Sequence, residues 1–470
     1  MNCEDFKGLI AELNYLCFRA GTEEFAREHG FEGLTIGELK RQSPEVVQDF
    51  YRDINTAFKN AQSLIIQRRL EWEAARQAGV KDFAPPYSFE FAINLVTDYA
   101  DAIAWSMLEL DRSWVRSQFA DVHPHSDLEH HNWKSIEGVI SDFNSDPDQF
   151  ALANDLTSFM HVGDVFVRNT RTNQTACYEV KEGEENRKVH EVLSTDDPAE
   201  LERRKGEYIA AAENPEHSRK QVERNLKQRR RMARSLAYRE SGGTFRTELT
   251  SGDPVISEEY GDVESWLEVA VGLGNEVSGD FDAKSAVVDG CLFVEYGRGG
   301  HTRAREDWFR HRISQHLGPG TTESEVAQLR VFDIGRQFAT PGFMPRSVSF
   351  LPFGEENQAR LLALEDHILV HLNIPALQQF LTSNDVLMTV RNVRQQDRRV
   401  SDLLMRHVLG NNKVARVASD QLGDEFSFVI GSGLFGRMLF EFMAPRSLVG
   451  MANRKPAVPE GLRHPPGSRP

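Results

Sequence analysis

The sequence predicts an α/β protein of the α+β type, with more than one domain. Three observations lead to this prediction: helical spacing of apolar residues in the first part, strand-like alternation in the middle, and both patterns towards the end. A chain of 470 residues exceeds one ordinary core of about 100–200 residues. Its 40% hydrophobic and 27% charged residues are typical of globular proteins, which excludes a chain disordered throughout.

Residues 1–120 are predicted to form a helical N-terminal module. Apolar residues recur at three- and four-residue spacing in three stretches: 6–18, 46–75 and 89–119. Pro44 follows the cap-type residue Ser43, an arrangement that favours a helix start. We find no strand-like alternation there, so the module is expected to be all-α.

The middle region, residues 121–241, contains the first strand-like patterns. A helix is predicted at 133–143, and two alternating runs follow at 162–168 and 175–181. A polar turn separates the runs, which predicts a β-hairpin. A long basic helix is expected at 198–239, with a break near its internal Asn-Pro pair.

A Gly-Gly linker leads into a predicted C-terminal α/β region at 244–452. Helices are expected near 263–271, 356–372 and 394–409. Strands are expected near 286–296, 347–351, 386–390 and 426–430. The tail, 453–470, is rich in Pro, Arg and Gly without periodicity, which predicts disorder.

The second run of the hairpin carries the residues that point to chemistry. In a strand, residues two apart lie on one face, so Glu179 and Lys181 are expected side by side. The alternate residues are expected to face the core: Ala176, Tyr178 and Val180. The hairpin can bring the carboxylate of Asp164 next to Glu179. Two carboxylates at one point suit Mg²⁺, which takes few protein ligands and keeps most of its waters.

This arrangement resembles the PD-(D/E)XK nuclease superfamily. Asp164 is followed by fourteen residues and then by Glu179-Val180-Lys181, and the segment 154–157 is similar to the approach to this hairpin in bacterial members. The resemblance covers residues 132–239. It implies a restriction-endonuclease-like core, in which helices flank a mixed sheet. It also implies hydrolysis of phosphodiester bonds with Mg²⁺ or Mn²⁺, where the metal activates water and the lysine stabilises developing charge.

The resemblance implies further site residues. Glu137, on the preceding helix, is the candidate third metal ligand, and Gln221 or Gln228 is the candidate polar residue on the following helix. The net charge of −16 confines phosphate contacts to a local basic island. That island is expected to hold the nucleic-acid backbone through Arg219, Lys220, Arg224, Lys227, Arg229, Arg230, Arg231 and Arg234.

Alternative interpretations stay open at this point. The chain could retain the nuclease fold as an inactive nucleic-acid-binding or scaffold protein, and the basic island could be a solvated helix face. A histidine-rich stretch could bind zinc, although a solvated linker explains it better: His123, His125, His130 and His131. DNA is the expected substrate, a role in bacterial restriction or anti-phage defence follows by analogy only, and a homodimer or a partner protein bound by the terminal regions remains open.

The sequence also predicts a location. It contains neither an apolar run of about 18 residues nor a basic and apolar leader at its first residues, so a cytoplasmic protein without a membrane partner is expected. The four cysteines are scattered without CxxC spacing, which favours reduced thiols over a zinc or disulfide framework.

Overall fold

The structure is a computed structural model, and its residues group into two compact units, 1–258 with 338–350 and 259–337 with 351–470. It describes residues 3–19, 44–80, 88–108, 114–115, 118, 128, 133–160, 162–180, 188–189, 191–195, 197–212, 214–226, 264–299, 302–317, 322, 326, 329–334, 353–392, 408–409, 413–419, 427–430, 432–440 and 442–453. None of the helices in these ranges combines the length and apolar content needed to cross a bilayer.

The first unit contains helices on both sides of a short meander of strands. The helices are α1 (Cys3–Asn14), α2 (Pro44–Gln77), α3 (Phe89–Met107), α4 (Trp133–Asn144), α5 (Pro198–Ala211) and α6 (215–226). The strands are β1 (Gln149–Ala153), β2 (Val165–Asn169) and β3 (Gln174–Tyr178). A π-helical turn, Tyr15–Arg19, continues α1, and a 3₁₀ turn, Asn154–Leu156, follows β1.

Most of the elements predicted for this unit are confirmed. Helices α1 to α3 match the helical pattern expected before residue 120, and α4 matches the helix expected at 133–143. The basic helix breaks where expected, since α5 ends at Ala211 and α6 begins at Pro215. Residues 227–239 lie outside the described part of the chain.

The three strands form an antiparallel sheet in the order β1-β2-β3, which confirms the hairpin and adds a strand that the sequence did not predict. Phe166 is paired with Leu152 on one side and with Cys177 on the other. Every strand pair in the described residues is antiparallel, so the parallel pair that a mixed sheet requires is not among them.

Helix α2 lies along the outer edge of β1 and hydrogen-bonds to it. The buried side-chain amide of Gln62 donates to the carbonyl oxygen of Ala151 at 2.9 Å and accepts from the amide of Ala153 at 3.0 Å. An edge strand presents unpaired peptide groups, and the glutamine amide pairs with two of them as a neighbouring strand would. Contacts between α2 and β1 therefore cross residue 120, so the predicted boundary there falls inside one compact unit.

A buried ion pair on α2 fixes the segment that follows β1. Arg69 and Glu73 are each 1% exposed, and their charged groups lie 3.0 Å apart. Arg69 also donates to the carbonyl oxygen of Asp155 at 2.8 Å, and Glu73 accepts from the amide of Leu128 at 2.7 Å. These bonds satisfy buried charged groups that would otherwise be costly.

Helices cover both faces of the sheet. Phe58 of α2 packs against Phe150 with ring centroids 5.6 Å apart, and Phe143 of α4 packs against Tyr178 at 4.7 Å. The strand register places Phe150 and Tyr178 on opposite faces. The first unit is thus layered as helix, sheet and helix.

The second unit also combines helices and strands. Its helices are α7 (Leu267–Glu276), α8 (Thr302–Leu317), α9 (Glu355–Leu362), α10 (Ile374–Thr382), α11 (Ser432–Phe440) and α12 (Ser447–Asn453). Its strands are β4 (Ala283–Val288), β5 (Leu292–Arg298), β6 (Phe332–Asp333), β7 (Asp366–Leu372), β8 (Val386–Asn392), β9 (Lys413–Ser419) and β10 (Ser427–Ile430). They form two antiparallel sheets, β4-β5-β7-β6 and β10-β9-β8.

Two expectations for this unit are wrong and two are confirmed. The helix expected at 356–372 ends at Leu362, and the rest is the buried strand β7. The strand expected at 286–296 is a hairpin that turns at Asp289 and Gly290, both with positive φ. Strands β8 and β10 confirm those expected near 386–390 and 426–430. The strand expected at 347–351 and most of the helix expected at 394–409 lie outside the described residues, as does the tail from 454.

The central sheet of the second unit buries a carboxyl group. Glu295 of β5 is fully buried, and its carboxylate lies 2.8 Å from the guanidinium of Arg312. Burial raises the pKa of Glu295 to about 7, although the charges of Arg312 and Arg305 act in the opposite direction. On the adjoining strands, the buried imidazole of His367 lies 2.8 Å from the carboxylate of Asp333.

Glu295 should make the stability of the second unit depend on pH. The folded protein binds the proton of the Glu295 carboxyl group more tightly than the unfolded chain does. The stabilisation that this proton gives is therefore complete below about pH 4.5 and is lost as pH rises to about 7. We expect Glu295→Gln to remove a contribution on the order of 3 kcal/mol from the difference in unfolding free energy between about pH 4.5 and 8. Denaturant unfolding across this pH range measures it.

The exposed Glu268 of α7 supplies the matched control. Glu268→Gln should keep the pH dependence of the wild type. Equal slopes in wild type and Glu295→Gln would show that Glu295 ionises as it does in the unfolded chain.

Candidate active site

The candidate site begins at Gly163, whose backbone has φ of +79°. A Cβ atom at this position would lie 2.9 Å from the carbonyl oxygen of Tyr178, closer than real Cβ contacts allow. Only glycine combines this left-handed conformation with such a close approach. Gly163 therefore lets the chain entering β2 press directly against the end of β3.

Asp164 connects both neighbouring strands through its backbone. Its amide donates to the carbonyl oxygen of Tyr178 at 2.7 Å, and its carbonyl oxygen accepts from the amide of Asn154 at 2.9 Å. In a regular strand, the N–H and C=O of one residue point to the same neighbour. The ladder is thus distorted at Asp164, which joins the ends of β1 and β3.

The carboxylate of Asp164 fixes the segment that carries Glu179. Its Oδ2 atom accepts a hydrogen bond from the amide of Val180 at 2.6 Å. With the backbone bond to Tyr178, Asp164 is bonded to the residues on both sides of Glu179. The last registered pair of the hairpin is Val165 with Tyr178, so Asp164 and Glu179 occupy the next positions. The backbone positions of the two acidic residues that the sequence singled out are therefore neighbours at the end of the hairpin.

The alternation predicted for the second run has the wrong phase. Cys177 is 8% exposed, whereas Tyr178 is 39% exposed and its ring packs against Phe143. Strand β3 also ends at Tyr178, so Glu179 follows the strand instead of lying on its face. Lys181 lies outside the described residues, and its expected place beside Glu179 stays a prediction.

Two polar residues that the sequence analysis did not assign hold the loop before Asp164. The side chain of Asn154 donates to the carbonyl oxygens of Val162 and Gly163, at 2.9 and 3.0 Å. Asp101 of α3 accepts hydrogen bonds from the amide and the hydroxyl of Ser158. Burial raises the pKa of Asp101 to about 8, against the effect of these hydrogen bonds. A polar residue within the apolar pattern of α3 was the signal for Asp101.

Glu137 does not join the two acidic residues. It is exposed on α4, the helix that packs on Tyr178 through Phe143. Within the described ranges, the structure contains no group of three or more His, Cys, Asp or Glu side chains that could hold a metal ion. The predicted three-carboxylate set of Asp164, Glu179 and Glu137 is therefore not assembled.

The oxygen atoms that are present still fit the expected metal. Carboxylate oxygens are the donors that Mg²⁺ and Mn²⁺ prefer, and Mg²⁺ commonly takes only one or two carboxylates from the protein. Asp164 and Glu179 supply that number. The competing histidines, His123, His125, His130 and His131, lie outside the described residues.

The basic island is described only at its beginning. Arg219, Lys220 and Arg224 are exposed on α6, where Lys220 lies 2.9 Å from Glu216. Val222 faces the other way and packs with Val189 and Leu193. The remaining basic residues lie outside the described residues: Lys227, Arg229, Arg230, Arg231 and Arg234.

The two glutamines expected near the site remain predictions. Gln221 is partly buried on α6, and its backbone carbonyl oxygen accepts a hydrogen bond from the side chain of Asn225 at 2.9 Å. Gln228 lies beyond the described end of this helix.

Comparisons of the chain with protein families, with curated proteins and with solved structures gave no match in any of the three.

Two substitutions of Asp164 should separate its structural role from its charge. Asp164→Ala removes the acceptor of the Val180 amide, so we expect a loss of about 1–3 kcal/mol in unfolding free energy. Asp164→Asn keeps an oxygen acceptor and removes one of two neighbouring like charges, so it should match or exceed the wild type. Denaturant unfolding at neutral pH measures both, and an equal loss in the two variants would contradict this role of the side-chain acceptor.

Proposed function

We propose that this chain is a metal-dependent nuclease that hydrolyses phosphodiester bonds of nucleic acid, with DNA as the expected substrate. The observation that supports the proposal is that Asp164 is hydrogen-bonded to Tyr178 and Val180, the residues on either side of Glu179, at the end of the β2–β3 hairpin. These hydrogen bonds fix Asp164 and the backbone on either side of Glu179 before any substrate binds. Such preorganisation is what catalysis by positioned charge requires.

The order of elements supports the same proposal. Helix α4 precedes the meander β1-β2-β3, and helices α5 and α6 follow it. This is the order that the resemblance to PD-(D/E)XK nucleases led us to expect, and helices flank the sheet on both faces. A restriction-endonuclease-like core belongs to the proposal, because every strand pair within the described residues is antiparallel.

The proposed reaction divides three roles among these residues. The carboxylates of Asp164 and Glu179 would hold Mg²⁺ or Mn²⁺, which when bound supplies an acidified water and neutralises charge on the phosphodiester. Lys181 would orient the attacking water or stabilise the negative charge of the transition state. The basic residues of α6 would hold the nucleic-acid backbone without regard to sequence.

Glu179→Gln tests the proposed active site. The substitution keeps the shape of the side chain and removes its charge, so we expect cleavage to fall at least about 100-fold, since such electrostatic contributions are worth several kcal/mol. Purified full-length protein would be incubated with plasmid, linear duplex and single-stranded DNA, and with RNA, in the presence of Mg²⁺, Mn²⁺ or a chelator.

The exposed Glu12 of α1 provides a matched control. Glu12→Gln should cut as the wild type does. Cleavage that persists in the chelator, or wild-type cleavage by Glu179→Gln, would overturn the site. Nucleic-acid binding without cleavage by the wild type under every condition would favour the alternative, an inactive nuclease-fold binding protein.

The basic face of α6 can be tested by the salt dependence of binding. Replacing Arg219, Lys220 and Arg224 with alanine in the Glu179→Gln background should weaken duplex binding equally for all sequences. Each lost phosphate contact should reduce the slope of log K against log salt by roughly 0.9. Arg203 and Lys205 of α5 carry positive charge outside the basic island, so their double alanine variant should keep the parent slope. An unchanged slope in the α6 variant would leave this face as solvated surface only.

A further inference from the structure

We infer that Asn154 is a positioning residue that sets Asp164 opposite Glu179. The inference rests on the proposed function, since it concerns the same site. Asn154 lies immediately after β1, and the register of β1 with β2 places it opposite Asp164. The backbone amide of Asn154 donates to the backbone carbonyl oxygen of Asp164. This bond completes a chain of hydrogen bonds from β1 through Asp164 to β3.

The side chain of Asn154 closes the loop between these positions. It is 3% exposed, and its Nδ2 atom donates to the carbonyl oxygens of Val162 and Gly163. These two residues lead directly into Asp164. The close approach of Gly163 to Tyr178 depends on where this segment lies, so the two bonds of Asn154 determine how far Asp164 reaches towards β3.

The donor groups of Asn154 account for its presence. Within the described residues, its Oδ1 atom is buried without a hydrogen-bond partner. A buried acceptor without a partner costs about 1–3 kcal/mol, so an amide is an expensive choice for packing alone. The side chain is retained there for its two N–H groups, and these serve the segment that carries Asp164.

Two variants of Asn154 separate the donors from the shape of the side chain. Asn154→Ala removes both donors. Asn154→Asp keeps the shape, but an ionised carboxylate would face two carbonyl oxygens and donate nothing, whereas its protonated form can donate one hydrogen bond. We therefore expect Asn154→Asp to resemble Asn154→Ala at about pH 8, where the carboxyl is ionised.

The first measurement does not depend on activity. The amide of Val180 donates to Asp164, so its hydrogen-exchange protection reports how well Asp164 is positioned. We expect protection at Val180 to fall about 5- to 30-fold in Asn154→Ala, which corresponds to about 1–2 kcal/mol. The second measurement is cleavage, in which kcat should fall by a similar factor or more while KM for DNA changes little.

Asn169 supplies the matched control at the other end of the same hairpin. Its side chain accepts hydrogen bonds from the amides of Arg171 and Thr172, both at 3.0 Å. Asn169→Ala loses two bonds to the backbone, as Asn154→Ala does, but far from Asp164. It should keep the protection at Val180 and the kcat of the wild type.

The outcomes are distinct. Wild-type protection at Val180 in Asn154→Ala, or equal loss in Asn169→Ala, would overturn the inference. If Asn154→Ala fails to fold, Asn154→Asp at about pH 8 decides the matter, because wild-type protection at Val180 in that variant would contradict the role of the donors. If the wild type does not cleave nucleic acid while the exchange results are as expected, the proposed function fails and the positioning role of Asn154 stands.

Discussion

The first unit depends on the polar docking of helix α2 along the edge of β1. The amide of Gln62 pairs with the peptide groups of Ala151 and Ala153, so β1 has a partner on each side although it is the edge strand. About two turns further along the helix, Arg69 and Glu73 are buried as an ion pair. Removing one partner of such a pair is strongly destabilising, commonly by about 3–5 kcal/mol, because a charge is left buried.

The position of the acidic residues follows from this docking by a short series of contacts. Gln62 fixes β1, the register of β1 fixes β2, and Asp164 directly precedes β2. Asp164 in turn is bonded on both sides of Glu179. A displacement of α2 along the strand edge would therefore reach the site, although no side chain of α2 contacts either carboxylate in the hydrogen bonds described above.

The hairpin could be predicted because its information is local. Alternation and a polar turn are contained within residues 162–181, and the observed register pairs β2 with β3 as a hairpin. Strand β1 lies outside this local segment, and its outer edge is paired with the side chain of Gln62, 89 residues earlier in the chain. The sequence also predicted the wrong buried face for β3. It placed the larger residue, Tyr178, towards the core, whereas the structure buries the smaller one, Cys177.

In the second unit, strand β7 could not be predicted because it contains charged residues whose partners are distant or unrecognised in the sequence. The segment 366–372 begins with Asp366 and His367, and it followed an amphipathic helix without a clear break, so the sequence predicted that the helix continues. The structure buries Asp366 in a strand, where Tyr296 and Arg360 donate to it at 2.9 and 3.0 Å. Both donors are brought to it by the fold. Without them, a buried aspartate would not be compatible with a central strand.

The arrangement of α2 and the hairpin also has a consequence for the order of folding. Strands β2 and β3 are joined by a short turn, and hairpins of this kind form within about 1–10 μs. The bonds of Gln62 to β1 join residues 89 and 91 positions apart, so they require the closure of a long loop and come later. We therefore expect Asp164 and Glu179 to become neighbours while water still screens their repulsion, and Arg69 and Glu73, one helical turn apart, to pair before they are buried.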